Sequence, residues 1–229
     1  MQYSTLKSIL KGRLARYSSS TSLDQYIDAE LNASMEDLEE EGFLPWFLYT
    51  RTDALTLTAS ARTVNLPTDY ARQRLTDSHD PKQSFLRIAK TFLEFEWQPL
   101  QLMDANNVYD GSIPVTATQV ERPTKYFVEE GADQIVFDKW ADATYTVSFD
   151  YVRKGDRYTD TPADSEEPLW AKHVPNYLIA TCGLRIANMY IKNQTAGQIF
   201  IADVQRGRTK MIHKHNAILE SQVNPNSVN

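Results

Sequence analysis

Side chains capable of chemistry are few in this chain, and none stands in a reactive spacing. The four histidines are His79, His173, His213 and His215. On a helix, His213 and His215 point their rings about 200° apart, whereas chelation of a metal needs the i, i+4 spacing that places two rings on one face. The sequence contains no His-Glu-x-x-His, no Gly-x-Ser-x-Gly, no P-loop and no Gly-x-Gly-x-x-Gly. Its 8 glycines do not cluster into a phosphate cradle. Cys182 is the only cysteine, which excludes an internal disulfide and a cysteine-built metal site. Set in an apolar helix, it reads as packing rather than as a nucleophile. No catalytic residue, metal ligand or cofactor is expected.

Three surfaces carry more information. Glu36, Asp37, Glu39, Glu40 and Glu41 form an acidic run. Two of these carboxylates could in principle serve a glycan hydrolase, but on a helix such a run reads as a solvated face. Arg206, Lys210 and Lys214 recur at i, i+4, i+8 with Arg208 beside them, a basic stripe suited to an acidic protein or to passing DNA. Phe200, Val204, Met211 and Ile218 lie on the apolar side of the same stretch and could anchor in a partner's groove. The segment Leu44-Pro45-Trp46-Phe47-Leu48-Tyr49 is too apolar for an ordinary loop; it either fastens an insert to a helical core or marks an interface. Glu36, Glu39, Glu40 and Trp46 are candidate contacts between subunits.

Helices must position most of these groups. Leu6, Ile9, Leu10 and Leu14 form one stripe, interrupted by Ser18 to Thr21. Ser22-Leu23-Asp24-Gln25 has the form of a capping box, followed by Ile27, Leu31, Ser34, Met35 and Leu38 on one face, with Gly42 as the stop. Residues 169–190 read as one buried helix that Pro175 bends or delays, with Ala180, Gly183 and Ala187 as a small-residue edge for a neighbouring helix. Thr195-Ala196-Gly197-Gln198 is a second capping box opening a last helix. Between the helical ends the pattern turns β-rich. Leu55 to Thr58 and Thr63 to Leu66 suggest a hairpin, and Phe85 to Lys90 a strand. Thr91 to Asn107 is ambiguous because of Pro99. Tyr126 to Glu129, Gln134 to Phe137 and the alternating Tyr145, Val147, Phe149, Tyr151 read as strands of a sheet with one buried face. The expected class is α+β: a helical bundle core built from both chain ends (residues 1–52 and 156–222), a mostly β insert (53–155) and a flexible tail (223–229).

Length and composition allow this. The 229 residues are 41% hydrophobic and 11% aromatic, enough for a packed core. No apolar run approaches the roughly 20 residues that span a bilayer, and Met1 to Lys11 lacks a leader-like stretch. The net charge of −6 argues against a protein that coats nucleic acid. A chain made in the cytoplasm, without membrane contact, is expected.

The order of segments resembles the head-to-tail adaptor (connector) proteins of tailed bacteriophages, of podophage type. An acidic helix leads to Gly42-Phe43-Leu44-Pro45-Trp46, then to Ala54–Ala61, then to Leu66-Pro67-Thr68-Asp69-Tyr70 followed by Arg72. Tyr126–Phe137, Thr144–Arg153, the acidic linker Asp160–Glu167 and the helix from Leu169 to Tyr190 follow in the family's order. The stretch from Asp77 to Lys125 is longer than in short adaptors. The resemblance implies a non-enzymatic virion protein at the head-to-tail junction. It would form a ring, typically of twelve copies, that binds the portal protein ring above and tail nozzle or tail tube proteins below. Genomic DNA would pass through the channel during ejection without sequence-specific binding. The C-terminal helix would clasp the portal, which makes Phe200, Val204, Arg206, Arg208, Lys210, Met211, Lys214 and Ile218 the portal-binding candidates. The rival readings are a carboxylate-dependent cell-wall or glycan hydrolase of the virion, drawing on Glu36 to Glu41 or Asp104, and a free-standing DNA-binding module.

Overall fold

The computed structural model describes residues 1–17, 22–41, 43–74, 85–90, 97–103 and 120–223. The expected break at Ser18 to Thr21, the stop at Gly42, His79, Asp104, the tail at 224–229 and much of the stretch from Asp77 to Lys125 lie outside the described residues. Helices and strands are both present, so the chain is α+β. It divides into two compact units, residues 1–48 with 154–229, and residues 49–153.

The first unit contains α1 (Tyr3–Leu14), α2 (Leu23–Glu40), a 3₁₀ turn at Trp46–Leu48, α3 (Leu169–His173), α4 (Pro175–Ile186), a π turn at Ala187–Ile191 and α5 (Gln194–Val223). Tyr3, Leu6, Leu10 and Leu14 are the buried stripe of α1, and Leu23, Ile27, Leu31, Met35 and Leu38 that of α2. Both helices pack on α4, as does α5. The helix expected over 169–190 is interrupted. Pro175 has no amide hydrogen and disfavours helical backbone in the residue before it, so Val174 leaves the helix at φ −138°, ψ 51° and Pro175 opens α4. Neither capping box forms. Ser22 stands at the N-cap of α2 but makes no side-chain capping bond. At α5 the cap is Asn193, whose Oδ1 accepts the Ala196 amide at 3.1 Å. It follows Lys192, which turns the chain at φ 52°.

α4 and α5 run antiparallel at close quarters because glycine stands where each helix meets a ring. A Cβ on Gly183 would lie 2.3 Å from the Phe200 ring, and one on Gly207 would lie 2.9 Å from Tyr177. The small-residue edge expected on α4 is therefore used, with Phe200 as its partner.

The second unit is built on β9 (Tyr145–Arg153). β1 (Tyr49–Leu57) pairs with it antiparallel, from Tyr49↔Val152 to Leu57↔Tyr145, with an irregularity between Thr52 and Leu55. β3 (Tyr70–Gln73) and β4 (Leu86–Ala89) share its other edge, and β5 (Gln98–Pro99) extends the sheet beyond β4. A second sheet runs β2 (Thr63–Asn65), β8 (Gln134–Phe137), β7 (Lys125–Glu129), β6 (Gln101–Leu102). The expected hairpin of residues 55–66 is thus absent: β1 pairs with β9 and β2 with β8, in different sheets. β9 also departs from one-faced burial, since Ser148 and Val152 are buried along with Tyr145, Val147, Phe149 and Tyr151. With strands on both edges it is the centre of its sheet, where both faces can be covered.

Candidate functional site

The acidic end of α2 is in part a bonding hub and in part the expected solvated face. Glu39 accepts the indole Nε1–H of Trp170 at 2.8 Å, the Gly155 amide at 3.2 Å, and two bonds from Arg157 at 2.9 and 2.7 Å. A Cβ on Gly155 would lie 2.5 Å from the same Glu39 oxygen and 3.1 Å from the Trp170 ring. Asp37 and the buried Glu30 share Arg185, and Glu30 also accepts the Tyr190 hydroxyl at 2.8 Å. Glu41 accepts the Tyr177 hydroxyl at 3.1 Å and lies 3.8 Å from Arg208. Of the expected subunit contacts in this run, Glu39 is turned inward and committed, while Glu36 and Glu40 face solvent. Glu30, which the sequence reading passed over, gave a signal only as a charge on the apolar side of the helix.

α5 separates the portal candidates into two groups. Phe200 and Met211 belong to the chain's own core at 1% and 3% exposure, so they are not available as anchors for a partner. The Gly183 notch draws the Phe200 ring in, and the Arg13 guanidinium lies 5.9 Å over it. Val204 and Ile218 are half-buried, and Arg206, Arg208, Lys210 and Lys214 are exposed. Arg206 is 3.4 Å from Asp203 on its own helix. Lys214 places its Nζ 4.8 Å from the centre of the Trp46 ring. A residue expected at the subunit interface and one expected at the portal therefore meet inside one chain. Ile199 and Ile201 flank the buried Phe200 and are nearly half exposed, as are Met189 and Tyr190 on the π turn. The sequence signal for the isoleucines was two apolar residues about 100° to either side of the buried stripe.

The apolar segment after α2 seats the far half of α5. Leu44, Phe47 and Leu48 are buried. Phe47 meets Trp170 edge-on at 5.1 Å and stacks on His173 at 4.9 Å with ring planes 11° apart. Trp46 meets His173 edge-on at 6.0 Å, and Phe43 meets the buried His215 at 4.9 Å. Burial, then the charges of Lys172, Lys214 and the N-terminal ammonium, hold the His173 pKa below its ordinary value. Cys182 is fully enclosed in α4, and burial pushes its thiol up to about 12, the opposite of a nucleophile.

In the β unit, the Leu66-Pro67-Thr68-Asp69-Tyr70 element bonds to the central strand. Asp69 accepts the Tyr151 hydroxyl at 2.6 Å. Tyr70 donates to Glu130 at 3.1 Å and lies against Phe149 and Tyr151. Burial and these carboxylates raise the pKa of both phenols, so they remain neutral donors.

Among the described residues no group of three or more histidine, cysteine, aspartate or glutamate side chains could hold a metal. No helix among them is long and apolar enough to cross a membrane. Asp37, Glu39 and Glu41 are engaged with cations, a hydroxyl and an indole in a structural network, and α5 carries exposed apolar and basic side chains. Comparison with curated proteins gives no match. The model of the SU10 adaptor protein family, by contrast, matches residues 1–227, and the chain belongs to that family as a structural adaptor of phage virions.

Proposed function

We propose that this chain forms the adaptor ring that joins the portal to the tail and continues the DNA channel, with its helices as a bundle core and its β-rich insert as an arm. The observation that carries this reading is the family match over nearly the whole chain. α5 is assigned the grip on the portal. Its length supports the assignment: 30 residues extend about 45 Å, while α4 has only 12 residues to pack against it. The contact set is Val204, Arg206, Arg208, Lys210, Lys214 and Ile218, with Phe200 and Met211 behind them as the helix's internal hold. The basic groups would contribute orientation and association rate more than affinity. Glu36 and Glu40 are assigned to the neighbouring copy.

The test is the mass of the purified protein mixed with portal protein. A ring-on-ring complex, typically with twelve copies of each, is the expected result. Replacing the exposed Arg206, Lys210 and Lys214 together by glutamate should leave the α-helical dichroism unchanged and weaken co-sedimentation with portal. Undiminished binding by the folded triple variant refutes the grip. Peptidoglycan or glycan cleavage by the isolated chain refutes the structural reading itself.

A further inference from the structure

We propose that His173 makes the seat of α5 responsive to protons, holding the far half of that helix while its imidazole is neutral and loosening it when the ring becomes a cation. In the far half of α5, Met211 and His215 are buried and Arg208 lies 3.8 Å from Glu41. Lys214 lies over Trp46, and His215 lies edge-on to Phe43. Trp46 is shared, because the ring of His173 meets the same indole edge-on while stacking on Phe47. One indole thus has an ammonium 4.8 Å from its ring centre and a histidine ring set nearly perpendicular to it at 6.0 Å. With His173 neutral, the Lys214 cation is alone in its attraction to the aromatic quadrupole. With His173 charged, two cations crowd one ring system.

The surroundings make the second state costly. The charged groups that act on His173 are Lys172 on its own helix, Lys214 on α5 and the Met1 ammonium, all positive. The ammonium is engaged with Glu167 and the Ala171 carbonyl, and Lys172 belongs to α3, the same short helix as His173. Lys214 is exposed and stands on another helix, so it is the group that gives way. The sign follows from the lowered pKa. The fold favours the neutral ring, so its stabilising contribution is full above the ordinary histidine range and is lost as pH falls below it. His215, buried in the same seat, is the competing titratable group on α5.

The experiment needs no portal, so its outcome is independent of the adaptor reading. Amide hydrogen exchange of α5 residues 208–218, corrected for the intrinsic pH dependence of exchange, is compared at about pH 7.5 and about pH 5.5, on either side of the histidine range. The wild type should show opening increased about fivefold or more at the lower pH. His173→Phe, which keeps the stack on Phe47 without a titratable ring, should abolish the ratio. Lys214→Gln, an exposed change, should reduce it. Equal protection of the wild type at both values overturns the proposal. A ratio that persists in His173→Phe transfers the effect to His215 and overturns it equally. Should His173→Phe fail to fold, Lys214→Gln decides: an unaltered ratio in that variant is the refuting result.

Discussion

Replacing Glu39 by alanine tests whether the acidic end of α2 works inside the subunit or between subunits. The substitution removes the acceptor for the Trp170 indole, the Gly155 amide and both Arg157 bonds at once. Trp170 is fully buried, and the Arg157 and Glu39 side chains are only 26% and 15% exposed. Breaking a buried pair by deleting one partner typically costs 3–5 kcal/mol, and partial exposure of Arg157 lowers that, so about 3 kcal/mol is expected. For a chain of this size the loss corresponds to a Tm drop of about 10 °C. Glu39→Gln keeps one carbonyl acceptor but sets an amide NH₂ against Arg157, and should cost about half as much. Urea titration followed by tryptophan fluorescence reads the change, because Trp170 reports directly. A Glu39→Ala protein with an unaltered midpoint that no longer assembles would refute the internal role and restore Glu39 to the subunit interface.

Further perturbations probe the helical unit. Gly183→Ala should destabilise it by about 2 kcal/mol or more through overpacking against Phe200, and Gly183→Ala with Phe200→Leu should recover part of that in chemical denaturation. Asn193→Ala removes the cap of α5 and should cost about 1 kcal/mol, whereas Lys192→Gly relieves a left-handed backbone and should be neutral or stabilising by up to about 1 kcal/mol; calorimetry separates the two signs. Cys182 should resist alkylation at about pH 8 in the native protein and react only after denaturation, because its thiol is enclosed and far from ionisation.

Local periodicity made much of this chain readable, and distance made the rest opaque. The stripes of α1 and α2, the alternation of β9 and the glycine edge of α4 are each properties of a few consecutive residues. The residues 55–66 looked like a hairpin for the same reason, two β-branched runs around a short break, but their partners Tyr145–Leu57 and Ile135–Val64 join positions more than 70 residues apart in sequence. Glu39 read as solvated because Arg157 and Trp170 lie 118 and 131 residues further on. The start of α5 was misplaced by two residues since Thr195 fits a capping pattern, while Asn193 is the cap because Lys192 ends the tight connection from α4. Phe200 and Met211 share one apolar side of α5, as their spacing predicts. That they face inward was not readable, because an apolar stripe does not say which surface covers it.

The central place of β9 sets a timetable for the growing chain. β1, β3 and β4 all leave the ribosome before the one strand that pairs with each of them. In the helical unit, α1 and α2 likewise precede α4, and the first amides of α1 bond to carbonyls at Asp164 and Glu166. Neither core can close on its N-terminal part alone: β1, β3 and β4 wait for β9, which ends at residue 153 of 229, and α1 and α2 wait for α4, which ends at residue 186. Such long waits favour slow folding and exposure of unpaired strand edges. The yield of competent chains is then set during synthesis as much as by the stability of the finished fold.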